Sequence, residues 1–132
     1  MAIVPTREQV EELAGSSSGE PIVMLNLLRF KDQADGIDEG LSGAEAYARY
    51  GEGAQPFLER VGGRLLIAVA AQQTFIGPEA GEWDMALMVE YPSRKAFLEM
   101  ATDPEYLEVH RHRDAALADS RLIVCEQVSL GA

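Results

Sequence analysis

Apolar positions recur along this chain with two periods, about 3.6 and 2, and the switches between them mark out its elements. Thr6 followed by Gln9 is a capping-box pair, Val10 and Leu13 form a single apolar stripe, and Gly15 stands where a left-handed C-cap belongs. A short peripheral helix is predicted there, followed by the most linker-like stretch of the chain, Gly15-Ser16-Ser17-Ser18-Gly19. Ile22 to Phe30 then alternates, with Ile22, Met24, Asn26, Leu28 and Phe30 on one side and Val23, Leu25, Leu27 and Arg29 on the other. Both sides are apolar at the centre, which predicts a strand whose two faces are both covered. Asp32 to Gly40, with four acids and two glycines, reads as a solvated loop.

Ser42 and Glu45 make a second capping-box pair and open a helix that reaches about Val61. Tyr47, Tyr50, Ala54, Phe57, Leu58 and Val61 share its apolar face, opposite Glu45, Arg49, Glu52, Gln55, Glu59 and Arg60. Gly51, Gly53 and Pro56 disfavour that helix, and Pro56 predicts a bend because its ring meets the carbonyl four residues earlier. Gly62-Gly63 stops the helix. Arg64 to Gln73 is the second predicted strand, Gly77 to Gly81 a turn, and Trp83 to Tyr91 the third strand. Ser93 caps a helix that runs to about Ala101 with Ala96, Phe97 and Met100 inward. Asp103 as N-cap and Pro104 at the first helical position restart it as far as about Leu117. Arg121 to Val128 is the last predicted strand.

The order is an extra N-terminal helix followed by β-α-β-β-α-β, the split βαβ pattern of an α+β fold. Four antiparallel strands in the order 4-1-3-2, with helices on one face, satisfy it. Residues 1–132 form a single domain in this reading, with 1–20 as N-terminal helix and loop and 21–128 as the core. The helix-free face of the sheet then needs a partner, and a second copy of the chain in a symmetric dimer supplies one.

Composition narrows the function classes. Eleven basic and 22 acidic side chains give a net charge of −11, which argues against nucleic acid and against an anionic membrane surface as partners. No apolar run approaches the ~18 residues of a membrane span. The start of the chain lacks an apolar signal core, so the cytoplasm is the expected location. The single cysteine, Cys125, falls in the last predicted strand and is expected to be buried and inert.

Several segments together resemble the bacterial family of domain of unknown function 1330. They are Met24-Leu25-Asn26-Leu27-Leu28-Arg29-Phe30-Lys31, the Tyr47 to Tyr50 helix, Gly62-Gly63, Trp83-Asp84, Glu90-Tyr91-Pro92-Ser93-Arg94, Pro104-Glu105-Tyr106 and His112-Arg113. The resemblance runs from about Pro21 to Gln127. It implies a ferredoxin-like fold of the dimeric α+β barrel superfamily, whose members include cofactor-independent quinol monooxygenases, muconolactone isomerase-like enzymes and haem binders. The family itself has no settled activity.

Candidate chemistry concentrates between Tyr106 and Leu117. A helical wheel puts Tyr106, Val109, His110, Arg113, Ala116 and Leu117 on one stripe, so a histidine and an arginine face inward. A buried guanidinium needs an acid, carbonyls, water or an anionic ligand. The alternatives are that Arg113 ties the helix to the sheet, or that it holds a carboxylate or enolate oxygen in a pocket between helices and sheet. The wheel favours His110 as its companion, whereas the family resemblance favours His112, with Glu108 four residues earlier as a partner for the His112 ring. Asn26, the one polar residue in mid-strand, is a candidate ligand contact, as are Tyr47, Tyr50 and Trp83; each also has a plain packing role. Asp84 is a candidate arginine partner. Phosphate-loop, nucleophile-elbow and zinc-cluster patterns are missing, and neither a metal nor an organic cofactor, haem included, is called for. The expected function is binding of a small oxygenated or aromatic molecule, with cofactor-independent proton-transfer or monooxygenase-like chemistry. Non-catalytic binding or sensing, and a structural interaction dimer, are the alternatives.

Overall fold

The computed structural model describes residues 4–15 and 19–130, so Ser16–Ser18 of the expected linker lie outside the described residues. Helix α1 (Arg7–Gly15) is followed by β1 (Ile22–Phe30), a 3₁₀ turn (Gly36–Asp38), α2 (Gly43–Arg60), β2 (Arg64–Ala70), β3 (Met85–Tyr91), α3 (Arg94–Ala101), α4 (Pro104–Ala116) and β4 (Leu117–Cys125). The sheet order is β2-β3-β1-β4, antiparallel throughout, which is the expected 4-1-3-2 order read from its other edge.

Local chemistry accounts for the helix starts. Thr6 and Gln9 exchange side-chain and backbone hydrogen bonds, and Ser42 and Glu45 do the same. Ser93 accepts from the Ala96 N–H, and Asp103 accepts from the Glu105 N–H just ahead of Pro104. Helix α2 continues through Pro56, which is solvent-exposed. Its glycines have separate explanations. A Cβ on Gly53 would lie 2.7 Å from Val109 Cγ1, so this glycine lets α2 and α4 approach closely, whereas the space around Gly51 is open.

Three strands differ in extent from the pattern-based expectation. Strand β2 ends at Ala70 rather than Gln73, and β3 begins at Met85 rather than Trp83. Strand β4 spans Leu117–Cys125 instead of Arg121 to Val128, because β1 recruits it directly from the end of α4, Phe30 pairing with Leu117. Cys125 is therefore the last strand residue and is half-buried rather than buried.

Ile22, Met24, Val89 and Tyr91 of the sheet pack with Leu58, Met100 and Tyr106 of the helices. A second cluster joins Leu28, Ala34, Ala46, Ala116 and Leu117. The helix layer covers β1 and β3, while every residue of β2 is exposed. On the opposite face the register aligns Leu25 with Ile123 and Met88, and Leu27 with Arg121 and Ala86. Ile67, Val69, Met88 and Ile123 are exposed there. Phe75 and Ile76, in the connection between β2 and β3, are each 88% exposed.

Gly43 is the most closely packed of the described glycines. Its N–H donates to Lys31 O at 3.0 Å, while the Lys31 N–H donates to Ala116 O at 2.8 Å. An added Cβ would run into both carbonyl oxygens. Gly43→Ala is expected to lower stability by about 1–3 kcal/mol through overpacking. Gly51→Ala, in the same helix but with open space around it, should raise stability by about 0.5–1 kcal/mol. Urea unfolding of the two variants beside wild type checks both signs.

Candidate functional site

Side chains from α2, β3 and α4 meet in a polar centre inside an otherwise apolar layer. Helix α4 enters at Asp103-Pro104 and directs Tyr106 and, two turns on, Arg113 toward the sheet; both are buried. Helix α2 contributes Tyr47 and Tyr50, a turn apart, and β3 contributes Tyr91. The Tyr50 and Tyr106 hydroxyls are 2.7 Å apart. The Arg113 guanidinium lies within hydrogen-bonding reach of the Tyr47 hydroxyl. Tyr47 and Tyr50 rings are 5.3 Å apart between centroids, and Tyr106 meets Tyr50 edge-on at 6.3 Å.

Burial sets the protonation states. It pushes the hydroxyls of Tyr47, Tyr50 and Tyr91 well above the usual phenol range and that of Tyr106 up to about 12, with the Arg113 charge opposing the shift in each case. All four phenols are thus neutral hydrogen-bond donors near pH 7. His110 packs edge-on against Tyr50 and Tyr106, and its Nδ1 lies 3.3 Å from Asp114 Oδ1. Burial holds its pKa below the ordinary 6.5 and the nearby Arg113 charge lowers it further, while Asp114 pulls the other way. The ring is therefore neutral near pH 7.

The two histidines take opposite flanks of α4. His110 joins the tyrosines and Arg113, as the wheel indicates. His112 turns away and its Nδ1–H donates to Asp38 Oδ2 at 2.7 Å. Glu108 does not hold the His112 ring; it pairs with Arg111 at 3.2 Å. Asn26 faces the helices between Leu87 and Leu122, and its amide donates to Met24 O at 3.3 Å. Trp83 stands apart from the tyrosines, with the Arg121 guanidinium 5.2 Å from its ring centroid. Asp84 accepts from the Phe30 N–H at 2.8 Å, so it closes the sheet end where an arginine pairing was anticipated.

Asp38 is the residue that sequence reasoning missed. It belongs to a stretch whose acids and glycines signal solvent, yet its carboxylate is fully buried. Nothing in the local pattern separates it from Asp35 or Glu39, both exposed. Tyr91 ends the third predicted strand, and the sequence does not mark it as part of a polar centre, because its neighbours come from helices distant in sequence. Among the described residues no group of three or more His, Cys, Asp or Glu side chains is placed to hold a metal ion, and no helix is long and apolar enough to cross a membrane.

Comparisons with known proteins agree with this architecture. The model of the domain of unknown function 1330 family matches residues 40–128. The crystal structure of RPA0582, a protein of unknown function from Rhodopseudomonas palustris, superimposes with a TM-score of 0.90 at 42% identity, covering 96% of this chain and 97% of that one. A dimeric protein of unknown function with a ferredoxin-like fold from Bacteroides fragilis gives a TM-score of 0.53 at 13% identity, covering 83% of this chain and 98% of that one. SnoaB, a cofactor-independent oxygenase from Streptomyces nogalater, gives 0.53 at 13% identity over 86% and 99%. No protein of curated function matches the chain. The fold is ferredoxin-like, with an extra N-terminal helix.

His110 makes stability depend on pH in a defined direction. Its folded-state pKa lies below 6.5, so between those two values the unfolded chain binds a proton that the folded chain resists. Stability contributed by the neutral ring is full above 6.5 and is lost as pH falls below it. Thermal melts of wild type and His110→Gln between about pH 7.5 and 5 should show the variant losing less stability on acidification.

Proposed function

For this chain, which belongs to the family of domain of unknown function 1330, we propose binding of a small oxygenated or aromatic molecule between the sheet and the helices. The observation that carries this reading is a guanidinium, Arg113, held in the interior among phenols that burial keeps protonated. Such a centre presents donors and positive charge to an oxygen that is, or becomes, negative. In this reading Arg113 stabilises a carboxylate or enolate oxygen, Tyr47 and Tyr50 donate to it, and Asn26 orients a second oxygen from the sheet. His110, neutral and with Nδ1 directed at Asp114, offers Nε2 as the base for a proton transfer that needs no cofactor. Monooxygenase-like chemistry on the same site is the finer form of this proposal, and the fold is shared with a protein named as a cofactor-independent oxygenase. The protein works in the cytoplasm in this reading.

A second reading, non-catalytic binding or a purely structural polar centre, is favoured by one observation. The Tyr50–Tyr106 hydroxyl pair and the Arg113–Tyr47 contact satisfy these groups from within the chain. A thermal-shift screen against small carboxylic acids, phenols, quinols and acyl-thioesters separates the two. A ligand at 100 times its dissociation constant adds about 2.7 kcal/mol, which moves the midpoint of a domain of this size by several degrees. A shift seen with wild type and lost in Arg113→Ala, and weakened in the milder Tyr47→Phe, is the expected result. No shift with any class, together with a strong loss of stability in Arg113→Ala, would make the centre structural.

The working form is a homodimer in this proposal. Its support is the apolar middle of the helix-free sheet face, where Ile67, Val69, Met88 and Ile123 are exposed in one chain. Arg64–Glu90 and Arg121–Asp119 ion pairs lie among these residues and give the face a charged rim. A protein sharing the fold is described as dimeric. Light scattering at micromolar concentration should give twice the 14.4 kDa chain mass, and Ile123→Glu should reduce it to one chain. A monomeric wild type would remove this part of the proposal.

A further inference from the structure

A second polar arrangement lies on the opposite flank of α4, independent of the tyrosines. Asp38 closes the 3₁₀ turn, and its side chain is 0% exposed. Oδ2 accepts from His112 Nδ1 at 2.7 Å. Oδ1 faces Arg49 Nη1 of α2 at 3.5 Å and has no hydrogen-bond partner. A buried anion is costly, and an apolar contact would join the turn to α4 at lower cost. A carboxylate with one oxygen left without a hydrogen bond leans on the imidazole as its hydrogen-bonded partner, an arrangement that calls for an explanation beyond packing.

The geometry supplies one. Because a carboxylate only accepts, the hydrogen bond places the ring proton on Nδ1 and leaves the lone pair on Nε2. The His112 side chain is 26% exposed, and its Nδ1 edge is against the buried carboxylate. The Arg49 side chain is 59% exposed, with Nη1 turned to Asp38.

We propose that Asp38, His112 and Arg49 form an acid–base site distinct from the Arg113 centre, for a small organic acid. His112 Nε2 takes a proton from the substrate, and the electron pair of the broken bond stays on the substrate. The same nitrogen returns the proton to another substrate atom, so neither oxidant nor cofactor enters. Asp38 is the positioning residue: it holds the ring in one tautomer and neutralises the imidazolium that forms. Arg49 takes the carboxylate of the substrate.

The test needs no knowledge of the natural substrate. In wild-type protein labelled with ¹⁵N-histidine, His112 is expected to show a protonated Nδ1 and an unprotonated Nε2, with His112→Gln assigning the signals. The opposite tautomer, or the mixture found for free histidine, overturns the proposal without any variant having to fold. Carbethoxylation of His112 by diethyl pyrocarbonate, at about pH 8 where an ordinary imidazole is neutral, reads the reactivity of Nε2. It should slow severalfold in Asp38→Asn, whereas an unchanged rate in a folded variant would leave Asp38 with a structural role alone. Malonate should protect His112 from the reagent in wild type and not in Arg49→Gln. Equal protection in both, or none in either, would overturn the assignment of Arg49.

Discussion

The end of β1, the start of α2 and the end of α4 are joined by backbone hydrogen bonds at a single junction. Lys31 N–H donates to Ala116 O, Gly43 N–H donates to Lys31 O, and Asp35 N–H donates to Ala115 O at 3.3 Å. No side chain intervenes at Gly43, so the three segments approach more closely than any other residue would permit. This contact sets both the position of α4 along the sheet and its rotation about its own axis. From that rotation follow the inward direction of Tyr106 and Arg113, the contact of His110 with the tyrosines, and the reach of His112 to Asp38. Ala46, Ala116 and Leu117 pack around the junction with no more than trace exposure, which keeps water from competing for its carbonyls.

Two different solutions to burying charge stand on the two flanks of α4. On one, a guanidinium is surrounded by phenols, which offer oxygen acceptors without adding a second charge and resist ionising because burial penalises the phenolate. On the other, a carboxylate is buried against an imidazole and an arginine that both reach the surface. In the proposed reading the first arrangement stabilises negative charge brought from outside, and the second takes up and releases a proton. Neither resembles the dense apolar packing that Ile22, Met24 and Val89 make a few residues away.

Much of this was legible in the residues. The Ser42 and Glu45 pair fixes the start of α2, and the alternation from Ile22 to Phe30 marks β1 as a strand, because capping and alternation depend on neighbours in sequence. The divergence of His110 and His112 follows from helical geometry alone. What could not be read depends on residues distant in the chain. Asp38 looks like its solvated neighbours until α4 is laid over it. The start of β4 was misplaced because Ala115 to Ala118 carries neither glycine nor proline, and a short run of this kind fits helix and strand equally. Pairing with Phe30 decides between them. Gly53 counted against α2 on propensity, yet it is the glycine that admits Val109.

Helix α4 passes into β4 without an intervening loop: Ala116 is the last helical residue and Leu117 already pairs with β1. The segment therefore has no slack. One residue inserted in α4 would turn all that follows by about 100°, and one inserted in β4 would exchange the two faces of the strand beyond it. Between Pro104 and Cys125 this protein can change its residues more readily than their number. Length variation is expected in segments that end free of such coupling, above all the exposed connection between β2 and β3. A comparison of lengths among relatives would then trace the mechanical frame of the molecule without reference to any conserved residue.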